Sequence, residues 1–237
     1  MFTAQEYEEA LAFFTQPNHL ASYEILEGRG KVMLSAPHAV LQTRHGALKQ
    51  AERYTGALCR LLHAREGWPC IYKARHLGDD ANHDAQSPYR DALCDYIREK
   101  GVACVLDLHQ LAPERPMDLC LCTGRGQNLA GWGELPLLLR DCFARHGFGP
   151  ITLDDPFDAK SAHTVSATVA RRCGIPSVQV ELNSRLCLED PPGERFFSLA
   201  EALREAVLTL NAQLTQGGEA DAAGTHGGER LSENQQI

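Results

Sequence analysis

Two histidines and a glutamate stand where short apolar runs of the sequence end, and together they could perform metal chemistry. His38 and His109 each come just after such a run, and Glu181 lies at the end of another. In an open parallel sheet, ligand sites form beyond the carboxyl ends of the strands. Two histidines and a carboxylate that leave a fourth position open are the ligand set of a catalytic zinc ion. We therefore expect these side chains to converge at one edge of a sheet.

The acidic ligand of such a site has to come from elsewhere in the chain. A compact H-x-x-E motif would place it three residues after His38, where the sequence has Leu41. Glu52 is the next acidic residue, with thirteen residues in between, and it lies at the edge of the apolar stripe of a predicted helix over 46–64. A carboxylate there needs a cation, because an unpaired buried charge is costly. That cation is either a metal ion or one of the neighbouring side chains Arg44, Lys49 and Arg53.

Glu181 and Asp107 also have to be accounted for, since both belong to apolar runs. A glutamate inside a buried strand must be paired or functional. Asp107 and His109 could form a buried hydrogen-bonded couple, or Asp107 could orient a metal-bound imidazole. His38, which follows a proline, could equally be a hydrogen-bonded loop residue.

A second polar cluster lies over 78–84, between the two histidines. Its residues Asp80, Asn82 and Asp84 imitate the start of an EF-hand loop. Calcium is excluded, because Ala85 stands at the required turn glycine and Asp91 at the terminal glutamate. The cluster is either a solvated loop or a substrate-binding loop.

Several cationic side chains could hold a substrate carboxylate or an oxyanion. Arg90 could clamp a carboxylate through both of its terminal nitrogens. Arg44 competes for that role, and either arginine could stabilise the oxyanion of a tetrahedral intermediate. Lys160 and His163 precede or open a predicted helix and could also approach the site.

Three short motifs, in this order, resemble those of the N-formylglutamate amidohydrolase family. They are Ser35-Ala36-Pro37-His38, Asp107-Leu108-His109 and Val178-Gln179-Val180-Glu181-Leu182-Asn183. The family is a branch of the zinc carboxypeptidase-like hydrolases, which have a phosphorylase/hydrolase-like α/β fold. The resemblance extends over roughly residues 30 to 210.

The resemblance assigns a role to several of these residues. It implies one zinc ion per chain with His38 and His109 as ligands, Glu52 as the acidic ligand and Glu181 as the catalytic carboxylate. The family often has Glu-x-Asn-Arg at the last motif, and here Ser184 separates the asparagine from its arginine. An Asn-x-Asp-like element also lies between the family's two histidines. The residues thereby implied in substrate binding are Asn82, Asp84 and Arg185, with His163 as a further candidate.

The implied function is that of a zinc-dependent amidohydrolase. Its substrate would be a small N-acyl amino acid resembling N-formylglutamate, or a peptide-like molecule. Two alternatives remain open: a carboxypeptidase-like metallopeptidase, and a non-catalytic metal-binding or ligand-binding domain of the same fold.

The elements that must position these residues alternate along the chain, which is typical of an α/β fold. Short apolar runs bounded by polar residues, glycine or proline predict strands over 31–36, 70–74, 102–108, 117–122 and 177–182. Apolar spacings of three and four, with capping signals, predict helices over 3–14, 46–64, 87–100, 135–146, 161–173 and 196–214. We expect one α/β domain over 1–214, with a mostly parallel mixed sheet flanked by helices. A polar tail over 215–237 is expected to be disordered.

Composition excludes several classes of function. The 237 residues include 23 basic and 31 acidic side chains, for a net charge of −8, and no basic patch suited to nucleic acid is present. No apolar run is long enough to span a membrane. The acidic N-terminus does not resemble a signal peptide, and the nine scattered cysteines lack paired spacing. The sequence therefore predicts a reduced, cytoplasmic protein whose partner is a small-molecule or peptide-like substrate.

Overall fold

A computed structural model describes residues 2–16, 19–187 and 193–224, the last eight of them by backbone alone. Its strands are β1 (Tyr23–Leu26), β2 (Val32–Ala36), β3 (Gln42–Arg44), β4 (Ala47–Lys49), β5 (Cys70–Lys73), β6 (Cys104–Leu111), β7 (Leu119–Cys122), β8 (Ile151–Leu153) and β9 (Ser177–Asn183). Its α-helices are α1 (Ala4–Ala12), α2 (Arg53–Glu66), α3 (Pro88–Lys100), α4 (Leu135–Arg145), α5 (Val165–Cys173) and α6 (Glu194–Gly224).

Seven of the strands form one mixed sheet in the order β1-β5-β2-β6-β9-β7-β8. The central strands β5, β2, β6 and β9 are parallel to one another. At one side β1 runs antiparallel to β5, and at the other β7 runs antiparallel to β9 and parallel to β8. The predicted fold class, a mostly parallel mixed sheet flanked by helices, is confirmed.

Helices cover both faces of this sheet. Alternate side chains of a strand point to opposite faces. Leu106 and Leu108 belong to the larger core, which α1, α2, α4 and α6 complete. Val105, on the other face, packs in a smaller core with residues of α3 and α5. Asp107 and His109 share the parity of Val105, so both lie on the face that α3 and α5 cover.

The prediction of a helix starting at residue 46 is wrong. Residues 42–49 instead form the hairpin of β3 and β4, and α2 begins at Arg53. His45 and Gly46 form the two-residue turn with φ of 51° and 76°. Positive φ at both turn positions is the geometry that joins two antiparallel strands most tightly. Leu48, which the helical spacing placed on a buried stripe, is 62% exposed.

Other boundaries differ by a few residues. Strand β6 continues to Leu111, so His109 lies inside the strand rather than beyond its end. Helix α5 begins at Val165 instead of 161, because the Thr164 side chain accepts the N-cap hydrogen bond from Ala167 N. The two edge strands β1 and β8 were not predicted, since each has only three or four residues.

Helix α6 continues to Gly224 rather than ending at 214. The alanine-rich composition of 219–223 favours this extension, because alanine has the highest helix propensity. The expected disorder of the tail remains a prediction for 225–237, which lie outside the described residues. None of the described helices combines the length and apolar character needed to cross a bilayer. The cysteines are unpaired, and all except Cys173 are buried, as expected for small core residues.

Candidate metal centre

The fold brings His38, Glu52 and His109 together at the carboxyl end of the central strands. His38 lies two residues after β2, His109 lies in β6, and Glu52 is the N-cap residue of α2. Nδ1 of His38 is 3.1 Å from Nδ1 of His109 and 3.1 Å from Oε1 of Glu52. Nδ1 of His109 is 3.5 Å from Oε2 of Glu52. Three possible ligand atoms from distant parts of the chain therefore face one point.

Backbone hydrogen bonds hold Glu52 in this position despite its distance from His38 in sequence. Glu52 N donates to His38 O at 2.8 Å, which closes the intervening segment into a loop. Gln110 N donates to Oε2 of Glu52 at 3.0 Å. The carboxylate is thus aimed at the imidazoles by the strand that carries His109.

The tautomer of each imidazole follows from its other ring nitrogen. Nε2 of His38 lies 2.9 Å from Oδ1 of Asp80, and Nε2 of His109 lies 3.1 Å from Oδ2 of Asp107. An ionised carboxylate can only accept, so each Nε2 carries the hydrogen and each neutral imidazole presents the lone pair of Nδ1. Histidine ligands of metals are commonly oriented by a carboxylate in this way.

The donor atoms fit a zinc ion. Tetrahedral zinc with nitrogen and oxygen ligands at about 2.0–2.1 Å separates its ligand atoms by roughly 3.3–3.4 Å. The separations here are 3.1, 3.1 and 3.5 Å. Two lone pairs and a carboxylate at this spacing repel one another unless a cation or bound protons compensate them. Among the residues that the structure describes, these three form the one group of histidine, cysteine or acidic side chains whose ligand atoms lie close enough together to hold a metal ion.

The electrostatics of this centre favour positive charge. Burial opposes a charge on His38, but the carboxylates of Glu52 and Asp80 outweigh burial and raise the pKa of His38. Burial also opposes a charge on His109, but Asp107 and Glu52 raise its pKa well above the usual value. Burial would raise the pKa of Glu52, yet the two histidines lower it to about 2. The buried carboxylates therefore stabilise positive charge at this point, whether it is carried by bound protons or by a cation.

Asp107 is itself held by a buried network. Ser35 Oγ donates to Oδ1 of Asp107 at 2.7 Å and lies 2.9 Å from the hydroxyl of Tyr89. That hydroxyl donates to Ile71 O and accepts from the backbone nitrogen of Ala36. The carboxylate that orients His109 consequently has little freedom to move.

Glu181 lies beside the three residues and lines the same cavity, of about 440 Å³. In β9 it is the register partner of His109. Gln179 Nε2 donates to Oε1 of Glu181 at 2.7 Å. Burial raises the pKa of Glu181 to about 7, and the charge of Glu52 adds to this effect while the histidines oppose it. A carboxyl group with such a pKa can both accept and return a proton near neutral pH.

Arg44 is the cationic side chain that the hairpin brings to the centre. Its Nε and Nη2 lie 2.9 and 2.8 Å from Oδ2 of Asp80, the carboxylate that holds His38. This pair, together with His38, lowers the pKa of Asp80, although burial opposes the shift. Arg44 also lines the cavity that Glu181 faces.

The structure places Arg90 and His163 away from the centre. The guanidinium of Arg90 is buried and donates to the carbonyls of Ala81, Asp84, Ala85 and His163. Arg90 and His163 line a separate cavity of about 400 Å³. In the first turn of α3, Arg90 points beneath the polar loop rather than towards the sheet edge. The sequence could not show this, because the direction depends on how the loop packs against the helix.

The remaining predicted substrate-binding residues are divided between two locations. Asn82 and Lys160 line the cavity of Glu181, where Asn82 joins β9 to α5 through Gln179 and the nitrogen of Val165. Asp84 accepts a hydrogen bond from Asp80 N and does not line this cavity.

Arg185 also lies outside the cavity of Glu181. Its Nη2 is 2.6 Å from Oδ1 of Asp118, and its guanidinium also donates to the carbonyls of Arg115 and Pro116. The arginine therefore joins the end of β9 to the segment before β7.

Sequence reasoning missed the roles of Asp80 and Gln42. Asp80 belonged to the cluster considered for calcium, and its partner His38 could not be inferred from a separation of forty-two residues. Gln42 is 3% exposed, and its Nε2 lies within 3.2 Å of the carbonyls of His38, Val40 and Gln50. A glutamine in a polar segment carries no sequence signal for such a role.

Comparison with known proteins shows similarity of structure only. No protein-family model matches the sequence. No curated protein matches it either. N-formylglutamate amidohydrolase from Ralstonia eutropha JMP134 has 16% identity and a TM-score of 0.59, over 84% of this chain and 100% of that one. The fold is shared.

Two further hydrolases have the same architecture. Bacteriophage poly-gamma-glutamate hydrolase has 16% identity and a TM-score of 0.59, over 83% of this chain and 93% of that one. A metallo-carboxypeptidase from Burkholderia cenocepacia has 15% identity and a TM-score of 0.51, over 90% of this chain and 70% of that one. The zinc carboxypeptidase-like fold that the three motifs implied is thereby confirmed.

Proposed function

We propose that the protein is a zinc-dependent amidohydrolase that cleaves the amide bond of an N-acyl amino acid or a peptide-like substrate. His38, Glu52 and His109 would hold one zinc ion per chain. The observation that carries the proposal is the convergence of two imidazole lone pairs and a carboxylate, with a separate buried carboxyl group, Glu181, lining the same cavity. When bound, zinc supplies a Lewis acid that polarises a carbonyl oxygen and acidifies a water molecule.

Glu181 provides the acid–base chemistry in this proposal. Its Oε1 accepts the hydrogen bond from Gln179, and this fixes the plane of the carboxylate. Oε2 takes the proton from the attacking water and returns it to the leaving nitrogen, so that an amine and a carboxylic acid are formed. Positioned proton transfer of this kind accelerates reactions by about 10²–10⁴-fold.

Arg44 is the arginine suited to stabilise the oxyanion of the tetrahedral intermediate. It lines the cavity, and its Nη1 takes no part in the contact that Nε and Nη2 make with Asp80. The guanidinium of Arg90 is taken up by backbone carbonyls. Removing one oxyanion donor typically costs a factor of about 10²–10³ in kcat.

Elemental analysis of protein purified without chelator, followed by a panel of N-acyl amino acids and short peptides, tests the proposal. We expect one zinc per chain, loss of turnover on chelation and recovery on adding zinc. His38→Ala and His109→Ala should lose the metal, whereas His146→Ala, which removes a partner of Glu205, should retain it. A metal-free protein that is folded and active would refute the proposal, and a zinc-loaded protein without amidase or peptidase activity would indicate a binding domain.

A further inference from the structure

Two cavities meet at the candidate metal centre. The first lobe, of about 530 Å³, is lined by Lys49, Tyr54, Leu111, Ala112 and Ser184. The second lobe, of about 440 Å³, contains Glu181 and the loop 156–161. His38, Arg44, Glu52 and Gln110 line both lobes and so mark their junction.

Both lobes are large enough to hold more than a small substituent. Binding cavities of about 300–1,000 Å³ are typical for whole drug-sized ligands. A formyl group, by contrast, is a single carbon with its oxygen and hydrogen, and it would leave one lobe almost empty. The described residues therefore form a cleft that extends to both sides of the reacting bond.

The position of Glu181 gives this cleft a direction. The proposed function has Glu181 return a proton to the leaving nitrogen, and Glu181 lines the second lobe but not the first. The amine half of the substrate therefore belongs in the second lobe. The acyl half belongs in the first.

Lys49 adds a charge preference to the first lobe. It ends strand β4, is exposed, and forms no ion pair with any residue that the structure describes. Lys160, another exposed lysine, lines the second lobe, so Lys49 is the lysine on the acyl side of the cleft. An ammonium group of this kind attracts a carboxylate on the acyl half.

We infer that the acyl half of the substrate is an amino-acid-sized or longer, acidic, peptide-like group rather than formyl or acetyl. This inference rests on the proposed function. Lys49 then acts as a specificity-determining residue, and the first lobe selects substrates by both length and charge.

A substrate series with one constant amine half tests the length preference. N-formyl, N-acetyl, glutaminyl and glutamyl derivatives of the same amino acid are compared by kcat/KM with the zinc-loaded protein. We expect the glutamyl derivative to exceed the formyl derivative by at least about tenfold. Higher kcat/KM for the formyl derivative would overturn the inference while leaving the proposed function intact, whereas no turnover of any derivative would count against the proposed function itself.

Placing a bulky side chain in the first lobe provides a second, independent test of the length preference. Ala112→Trp should lower kcat/KM for the glutamyl derivative at least about tenfold more than kcat/KM for the formyl derivative. Ala144→Trp, at an exposed position of α4 that lines neither lobe, is the matched control. Equal effects of Ala112→Trp on both derivatives would contradict the assignment of the acyl half to this lobe.

The charge preference is tested by Lys49→Gln. We expect KM for the glutamyl derivative to rise roughly tenfold more than KM for the neutral glutaminyl derivative. Calorimetric binding of glutamate, the acyl product of the glutamyl derivative, should weaken by the same factor, and this readout does not depend on turnover. Parallel changes for the acidic and neutral derivatives would refute a role of Lys49 in charge recognition.

Discussion

The environment of Glu181 favours its protonated form, which distinguishes it from the carboxylates that hold the histidines. Its pKa is raised to about 7, from an ordinary value of 4.5. A carboxyl group whose pKa is higher in the folded state contributes stability below its unfolded pKa, and this contribution is lost as pH rises through the folded pKa. In metal-free protein, Glu181 is therefore unfavourable for folding at alkaline pH.

Replacing Glu181 by glutamine should separate catalysis from both metal binding and stability. We expect Glu181→Gln to retain zinc and to lose about 10²–10⁴-fold in kcat. Metal-free Glu181→Gln should have a higher Tm than wild type at pH 8 and an equal Tm at pH 4.5. Glu114→Gln, at an exposed site, should change neither kcat nor Tm. A variant that purifies without zinc would instead make Glu181 a ligand.

Asp80 should control the zinc affinity of His38 without touching the metal. Asp80→Asn replaces the carboxylate that keeps hydrogen on Nε2 with a neutral amide, and loss of such a carboxylate partner typically weakens metal binding about 10–100-fold. Competition with a fluorescent chelator measures this change.

The adjacent Asp79 provides the matched control for Asp80. Asp79 accepts from Lys73, whose ammonium is buried, and does not contact either histidine. Asp79→Asn should therefore lower Tm while leaving zinc affinity intact. Equal zinc affinity in the Asp80 variant would contradict the role assigned to this carboxylate.

At the scale of elements, the hairpin of β3 and β4 explains how His38 and Glu52, two proposed metal ligands, meet although thirteen residues lie between them. Its base is closed by Glu52 N donating to His38 O and by the amide of Gln42. Periodicity in the sequence favoured a helix here, because Leu48 and Ala51 happen to have helical spacing with the real helix. The better signal was His45-Gly46, a pair able to adopt positive φ at both turn positions.

Gln42 should affect stability and metal binding together. Gln42→Leu retains the size of the side chain but leaves carbonyls without their donor, at a cost of about 1–3 kcal/mol. The ends of the hairpin should then separate, so zinc affinity should fall as well. Thermal unfolding and zinc titration measure the two effects, and exposed Gln86→Leu is the control. A lower Tm with unchanged zinc affinity would show that Gln42 does not position the ligands.

At the scale of the whole molecule, alternation of apolar runs and amphipathic stretches was sufficient to predict the class of fold. The order of strands was not predictable, because the reversed direction of β7 depends on contacts with β9 that no local pattern encodes. The same limit applies to the site. Strand ends indicated His38, His109 and Glu181, whereas the place of Arg90 depended on how α3 packs against the loop before it.

The stability of the folded protein should depend on pH and zinc in a linked manner. The pKa values of His38 and His109 are raised in the metal-free state. Their contribution is complete below the unfolded pKa of 6.5 and is lost as pH rises through the folded pKa values. Zinc competes with these protons, so the increase in Tm on adding zinc should be larger at pH 8 than at pH 5.5. The double variant His38→Ala, His109→Ala should show no zinc-dependent increase at either pH.

The closed base of the hairpin also has a consequence for engineering. The chain leaves the candidate metal centre at His38 and returns to it at Glu52, and the hydrogen bond between their backbones holds these two points together. A foreign peptide inserted at the tip, between His45 and Gly46, should therefore displace neither His38 nor Glu52. The ring of His45 contacts that of His83, which lines the second lobe, so an insertion there would stand beside that lobe. A library of such loops would offer a route to new substrate preferences on an unchanged reaction centre.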